Sequence, residues 1–362
     1  MNAFTWIEAK TAEQAVAELS SERGGPALLK AGGVDVLDRL KEGLETPERL
    51  VNISRLGAGM REILVTEAKS VPPLVTKLLP SDKPGGEPTP RDCLKVGALA
   101  TLAQVASHPQ ITQLLPALSA AASGAATPQV RQLATVGGNL MQRPRCWYFR
   151  SAEYQCLKKG GGECFAREGE NDFHSIFDNR VCSAVHPSAL ATALWALDAV
   201  VLITGPQGER STRLSALLVS ASQPGGDVRR ENKLAPEEII TALYVPIPKA
   251  NERNVYLKLK QKQSFDWPLV EVAMAVRMSQ KPGALFESAR VVLGSVAPTP
   301  WRAKAAEAAL LKLQNGEAAA LLTVGQAAVE GATPMQKNGY KVAIAQALVQ
   351  RAVAELLANR GQ

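Results

Sequence analysis

Thr127-Pro128-Gln129-Val130-Arg131-Gln132-Leu133-Ala134-Thr135-Val136-Gly137-Gly138-Asn139 is the stretch on which the reading of this chain turns. It follows an Ala- and Leu-rich segment, 111–126, that reads as helix, and it ends on paired glycines. A second pair stands far upstream in Ala31-Gly32-Gly33-Val34-Asp35, directly after the short apolar run Pro26-Ala27-Leu28-Leu29-Lys30. Paired glycines let backbone N–H groups approach an anion with no Cβ in the way. Successive N–H groups in such turns form a nest that holds phosphate. Two nests match the two phosphates of a pyrophosphate, although each Gly-Gly taken alone also reads as a plain turn. Neither is the GxGxxG fingerprint, so a Rossmann site is not supported.

Outward from these turns the chain alternates helix and strand. Thr11-Ala12-Glu13-Gln14 has the form of a capping start, with Ala15, Val16 and Leu19 on one helical face. Strands are expected at 26–30, 50–53, 63–65, 94–96 and 199–203, and a buried helix at 189–197. Pro80 to Pro88 forms a surface loop. A boundary falls near 250, where Pro246, Pro248, Asn251 and Glu252 interrupt the pattern. Beyond it, 255–298 alternates like antiparallel strands, and two or three Ala/Leu-rich helices run from Trp301 onward, an α+β arrangement. Val342, Ala343, Ala345, Ala347 and Leu348 there suit either a docking face or internal packing.

Four of the five cysteines cluster: Cys146, Cys156, Cys164 and Cys182. Cys93 lies apart, in strand-like sequence, and reads as a buried thiol. Lys158-Lys159-Gly160-Gly161-Gly162-Glu163, between the clustered cysteines, is flexible, so a fastener is expected. Disulfides need an oxidising compartment. Structural zinc favours short C-x2-4-C pairs, whereas the intervals here are nine, seven and seventeen residues. An iron–sulfur cluster takes four cysteines at family-specific spacings. Unligated thiols are the remaining alternative. Arg143, Arg145 and Arg150 stand beside Cys146 and would favour thiolates there.

Bulk composition excludes other classes. The 362 residues are 46% hydrophobic and 21% charged, a globular composition suited to two or three domains. No apolar run of eighteen residues suggests a membrane helix. The start, Met1-Asn2-Ala3-Phe4-Thr5-Trp6-Ile7-Glu8, lacks the form of a secretory signal. The expected location is the cytoplasm, or the periplasm by co-export with a signal-bearing partner. The net charge of +7 is dispersed, which argues against nucleic acid. His108, His174 and His186, the only histidines, complete no Ser/His/Asp triad, and His186 reads as structural.

At this point the motifs acquire a family. Residues 31–35 with Leu50-Val51-Asn52-Ile53, and residues 127–139, resemble the flavoprotein subunits of the molybdenum hydroxylases. Gln142-Arg143-Pro144-Arg145-Cys146-Trp147-Tyr148-Phe149-Arg150 and Val185-His186-Pro187-Ser188 are similar to a narrower, aldehyde oxidoreductase- and xanthine dehydrogenase-like group with a four-cysteine loop. Tyr256-Leu257-Lys258, Val296 to Arg302 and Asn338-Gly339-Tyr340-Lys341 resemble the carbon monoxide dehydrogenase flavoprotein C-terminal domain.

The resemblance implies an α+β fold: a two-lobed FAD-binding domain of the vanillyl-alcohol-oxidase type over 1–245, then a C-terminal α+β domain over 250–362. The lobes span about 1–60 and 61–245, with the cysteine loop at about 143–184. FAD would be bound by Lys30, Ala31, Gly32, Gly33, Val34, Asp35, Thr101, Arg131, Thr135, Gly137, Gly138, Asn139 and Lys258. Cys146, Cys156, Cys164 and Cys182 would ligate a [4Fe–4S] cluster. The partners implied are a large molybdopterin-binding subunit, where substrate is oxidised, and a small [2Fe–2S] subunit. Electrons would reach this subunit's FAD and leave to an external acceptor. Val34 departs from the Thr or Ser common in the family, and Ala189 from a common Asp. A stand-alone flavin oxidase is the alternative function.

Overall fold

The computed structural model describes residues 2–82, 85–262, 264–314 and 318–358, with the side chains of 318–320 left aside. Residues 83 and 84 of the expected surface loop lie outside them. The chain first builds a three-stranded parallel sheet from β1 (Thr5–Glu8), β2 (Ala27–Lys30) and β3 (Arg49–Asn52), in the order β1-β3-β2. Thr11 caps the helix Ala12–Ser20 by accepting from the Gln14 N–H. Parallel strands need crossovers, supplied by this helix and by Val34–Lys41. The central strand β3 is buried throughout. Its Arg49 is only 5% exposed and donates to the carbonyls of Glu18, Ser21 and Gly25, with the Glu18 carboxylate 3.5 Å away, so its charge is answered by backbone and by one acid. β1 was not among the expected strands: it is a half-exposed edge, and its Trp6 faces outward.

A five-stranded antiparallel sheet follows, from β4 (Ile63–Thr66), β5 (Cys93–Gly97), β6 (Val200–Gly205), β7 (Gly208–Arg213) and β8 (Ile239–Pro246), in the order β4-β5-β8-β6-β7. Cys93 is fully buried on β5, where burial pushes its thiol up to about 12. The helix expected across 111–126 is two helices, Pro109–Leu114 and Pro116–Ser123. Pro116 lacks an N–H and its ring obstructs the preceding turn, so the axis breaks there. Ala189–Ala196 is the expected buried helix, capped by the Ser188 side chain on the Ala191 N–H.

Past Pro246 the strands join a different sheet. β9 (Glu252–Lys260), β10 (Pro268–Met278), β11 (Phe286–Gly294) and β12 (Trp301–Arg302) form an antiparallel order β12-β11-β10-β9. One hydrophobic core joins this sheet to the helices Lys304–Leu310, Ala318–Ala328 and Tyr340–Ala358. Ala345 and Leu348 pack inside that core, while Ala343 and Ala347 stay exposed. The sheet docks on the helices of the preceding one through small side chains, Ala117, Ala121, Ala189 and Ala193 against Ala273 and Val292. The Asn254 side chain fastens the seam, accepting from the Ala117 N–H and donating to the Leu114 carbonyl. Among the described residues no helix is long and apolar enough to cross a membrane.

Candidate functional site: a dinucleotide cavity beside four cysteines

All three sheets contribute to one cavity of about 710 Å³. Both glycine turns line it, as do Lys258, Glu271 and the end of the β9–β10 hairpin. Of the residues assigned to FAD, Ala31, Gly32, Gly33, Val34, Asp35, Thr135, Gly137, Gly138, Asn139 and Lys258 are brought together here. Three are not. Lys30 extends toward the Trp6 ring, with Nζ 5.4 Å from its centroid. Thr101 caps the helix Leu102–Ser107 and pairs with Thr135 behind the cavity wall. Arg131 turns back onto the carbonyls of Ala125 and Ala126, at 3.0 and 2.8 Å.

The first turn has the form of an anion site. Gly33 caps the helix Val34–Lys41 at φ +90°, a conformation suited to glycine. The N–H groups of Gly32, Gly33, Val34 and Asp35 donate to no group among the described residues. Unsatisfied donors and the helix dipole together favour a phosphate at this end. Val34 offers no hydroxyl, so backbone donors carry the site. Gly32 has a further use: a Cβ there would lie 1.9 Å from the Leu133 carbonyl oxygen. Its smallness therefore lets the first lobe touch the second.

The second turn differs from the nest expected of it. Gly137 and Gly138 lie inside a short helix, Val136–Leu140, capped by Thr135. The Gly137 N–H donates to the Ala98 carbonyl at 2.8 Å and the Gly138 N–H to Thr135 Oγ1 at 3.2 Å. These donors are already committed. A Cβ at Gly137 would stand 3.2 Å from Ala98, so this glycine serves close packing. What the turn offers the cavity is Asn139. Ser188 Oγ donates to Asn139 Oδ1 at 2.6 Å and leaves Nδ2 without a partner among the described residues. The stretch around His186 thus acts on the site through Ser188, and its Ala189 lines the wall.

On the wall built by the third sheet, Lys258 and Glu271 are paired across β9 and β10. Glu271 is 1% exposed, accepting from Tyr256 OH at 2.6 Å and Thr192 Oγ1 at 3.2 Å. Burial raises its pKa above the ordinary carboxylate range. Lys258 Nζ donates to the Gly124 carbonyl at 2.9 Å, and burial lowers its pKa. Both groups are held by protein partners at this wall. Glu271 carried no signal in the sequence beyond its place in an alternating strand.

The arginines of 143–150 do not serve the thiols. Arg145 and Arg150 reach Asp35 at 2.9 and 2.8 Å, Arg150 also reaches Glu42 at 2.9 Å, and Arg143 pairs with Glu231. Arg39 adds a third guanidinium to Asp35 at 3.0 Å. Burial pushes the Cys146 thiol up to about 11. A hydrogen bond from Cys182 draws the Cys164 thiol down, and that contact with burial pushes Cys182 up. His174 Nε2 lies 3.2 Å from Cys146 Sγ.

Cys146, Cys156, Cys164 and Cys182 line a single small cavity. No three of the His, Cys, Asp and Glu among the described residues converge on one metal ion, and all five cysteines are free. The loop holding them is better packed than its glycines suggested. Trp147, Tyr148, Tyr154 and Phe165 make a chain of edge-on and stacked rings. Ile176 and Phe177 enter the core of the third sheet, Phe177 stacking on Trp301 at 4.6 Å. The motif Asn338-Gly339-Tyr340-Lys341 proves to be its clasp: the buried Lys341 ammonium donates to the carbonyls of Phe173, His174 and Ser295.

Comparison with known proteins agrees with this geometry. Residues 89–248 match the FAD binding domain in molybdopterin dehydrogenase, and 255–356 the CO dehydrogenase flavoprotein C-terminal domain. The aldehyde oxidoreductase FAD-binding subunit PaoB of Escherichia coli is 33% identical over 99% of this chain and 100% of its own length. The chain belongs to the FAD-binding subunits of the molybdenum hydroxylases. Another member, the carbon monoxide dehydrogenase medium chain of Hydrogenophaga pseudoflava, is 26% identical over 97% of this chain and 96% of its own. The fold is shared with solved members. Carbon monoxide dehydrogenase from H. pseudoflava superposes with a TM-score of 0.68 at 24% identity, covering 99% of this chain and 98% of that one. Quinoline 2-oxidoreductase from Pseudomonas putida gives 0.67 at 19% identity, covering 98% and 96%. The α+β flavoprotein fold expected from the motifs is the fold observed.

Proposed function

We propose that this chain is the FAD-bearing electron-transfer subunit of a heterotrimeric aldehyde oxidoreductase or xanthine dehydrogenase-like enzyme. Its partners are a large molybdopterin-binding subunit and a small [2Fe–2S] subunit. When bound, FAD supplies the redox chemistry, taking up electrons from the partners' centres and releasing them to an external acceptor. The observation that carries the reading is the one cavity lined by residues 32–35, with their uncommitted N–H groups, and by Lys258 and Glu271. The first-turn N–H groups hold the pyrophosphate, Asn139 Nδ2 adds a donor from the second lobe, and Lys258 places a cation where negative charge develops. Residues 1–245 act as the flavin domain and 250–362 as a domain that closes over it. Co-expression with the two partners should recover a three-subunit complex. A lone chain that oxidises aldehydes or purines at full rate contradicts the proposal.

The same reading gives the chain a [4Fe–4S] cluster on Cys146, Cys156, Cys164 and Cys182. Its support is that the four thiols line one small cavity, together with the family-specific spacings an iron–sulfur cluster accepts. Cys164→Ser should remove most of the iron bound by the chain, whereas Cys93→Ser should leave it unchanged. Stoichiometric zinc in metal analysis, or unaltered iron in the first variant, contradicts the assignment.

A further inference from the structure

The β9–β10 hairpin closes on Ser264-Phe265-Asp266-Trp267-Pro268, and its aromatic side chains stand open, Phe265 59% and Trp267 51% exposed. Tryptophan is highly buried on average, so one held half in the open needs an explanation. Both rings line the mouth of the dinucleotide cavity, on the side of the first glycine turn's helix. Trp267 is held in place: the Arg145 guanidinium carbon lies 5.1 Å from its ring centroid, an attractive cation–π contact. Arg145 is itself fixed to Asp35 and Asp38, at 2.9 and 3.3 Å, on the helix behind the phosphate turn. A chain of contacts thus runs from the hairpin tip across the mouth to the element that would hold phosphate. Among the described residues no other ring or cation lies on the Trp267 indole. At about 3.3 Å per extended residue, Trp267 stands roughly 13 Å along the strand from Glu271 and its neighbour Lys258. The two positions therefore touch different parts of an extended ligand.

We propose that Trp267 stacks on a planar heteroaromatic ring of the bound dinucleotide, with Arg145 holding its other face and Phe265 closing the mouth beside it. The inference rests on the FAD reading given above. The ring is the adenine or the isoalloxazine, which offer the same stacking chemistry.

Titration of flavin-stripped protein with FAD, followed by tryptophan emission and by equilibrium dialysis, tests it. Wild type should bind FAD with quenching, Trp267→Leu should bind about ten-fold more weakly, and Trp267→Phe should recover most of the loss. The quenching amplitude should fall in both variants. Parallel titrations with ADP and FMN identify the ring, because only the fragment that contains it loses affinity in Trp267→Leu. Wild type that binds no FAD would remove the functional reading itself. Wild-type binding with an unchanged affinity and unchanged quenching in Trp267→Leu would overturn this inference alone. Intact FAD binding with loss of partner subunits on purification would overturn it too, making the tip a protein contact.

Discussion

A Cβ at Gly32 would lie 1.9 Å from a backbone oxygen that cannot rotate away, the carbonyl of Leu133. Gly32→Ala should therefore push the lobes apart, costing about 3 kcal/mol of stability and emptying the flavin site. Gly57→Ala, with open space around it, should change neither. Melting temperature and bound flavin on the two variants distinguish them. His186 makes a second prediction at this scale. It is 3% exposed, its Nε2 has no partner among the described residues, and burial lowers its pKa from 6.5 to about 4, with Glu231 and Lys158 facing it. The unfolded chain takes up this proton near pH 6.5 and the folded one only near 4. Stability present above pH 6.5 is consequently lost as pH falls through that window, on the order of 3 kcal/mol in all. Melting curves from pH 7.5 to 5 should show the fall, and His186→Asn should reduce it without removing it, because the buried His174 is also lowered to about 4.

The helix Val34–Lys41 joins two functions that sit far apart in the sequence. Its first turn faces the cavity, and its Asp35 receives Arg39, Arg145 and Arg150 while only 12% exposed. Asp35→Asn removes the one carboxylate the three guanidinium groups share, leaving Arg39 to Glu45, Arg145 to Asp38 and Arg150 to Glu42. It should destabilise the chain by on the order of 3 kcal/mol and expose 143–150 to limited proteolysis. Unchanged urea midpoint and cleavage would contradict that account. Local signals made much of this region readable: a cap at Thr11, alternating strands, paired glycines and clustered cysteines. What stayed hidden was long-range. Nothing near Asp35 in sequence announces arginines more than a hundred residues away. Gly137 looked like a phosphate donor because its neighbours are glycine and asparagine, yet its N–H is committed to Ala98, a strand-end residue remote in sequence. Trp267 and Glu271 join the site only because the third sheet folds back over the first two.

Across the whole molecule, three sheets converge on one cavity, and the cysteine loop is pinned to two of them. Its arginines hold the first lobe, while Asn338 and Lys341 clasp it to the third sheet. A subunit built this way holds its FAD cavity and its four-cysteine loop on the same framework of sheets. The most direct measurement is flavin and iron quantitation, with an absorption spectrum, on the complex purified with its partners. The account predicts FAD released by acid in an amount equal to the chain, and flavin bands that vanish in Gly32→Ala while the partners' molybdenum remains. A complex active and intact with no flavin on this subunit would contradict it.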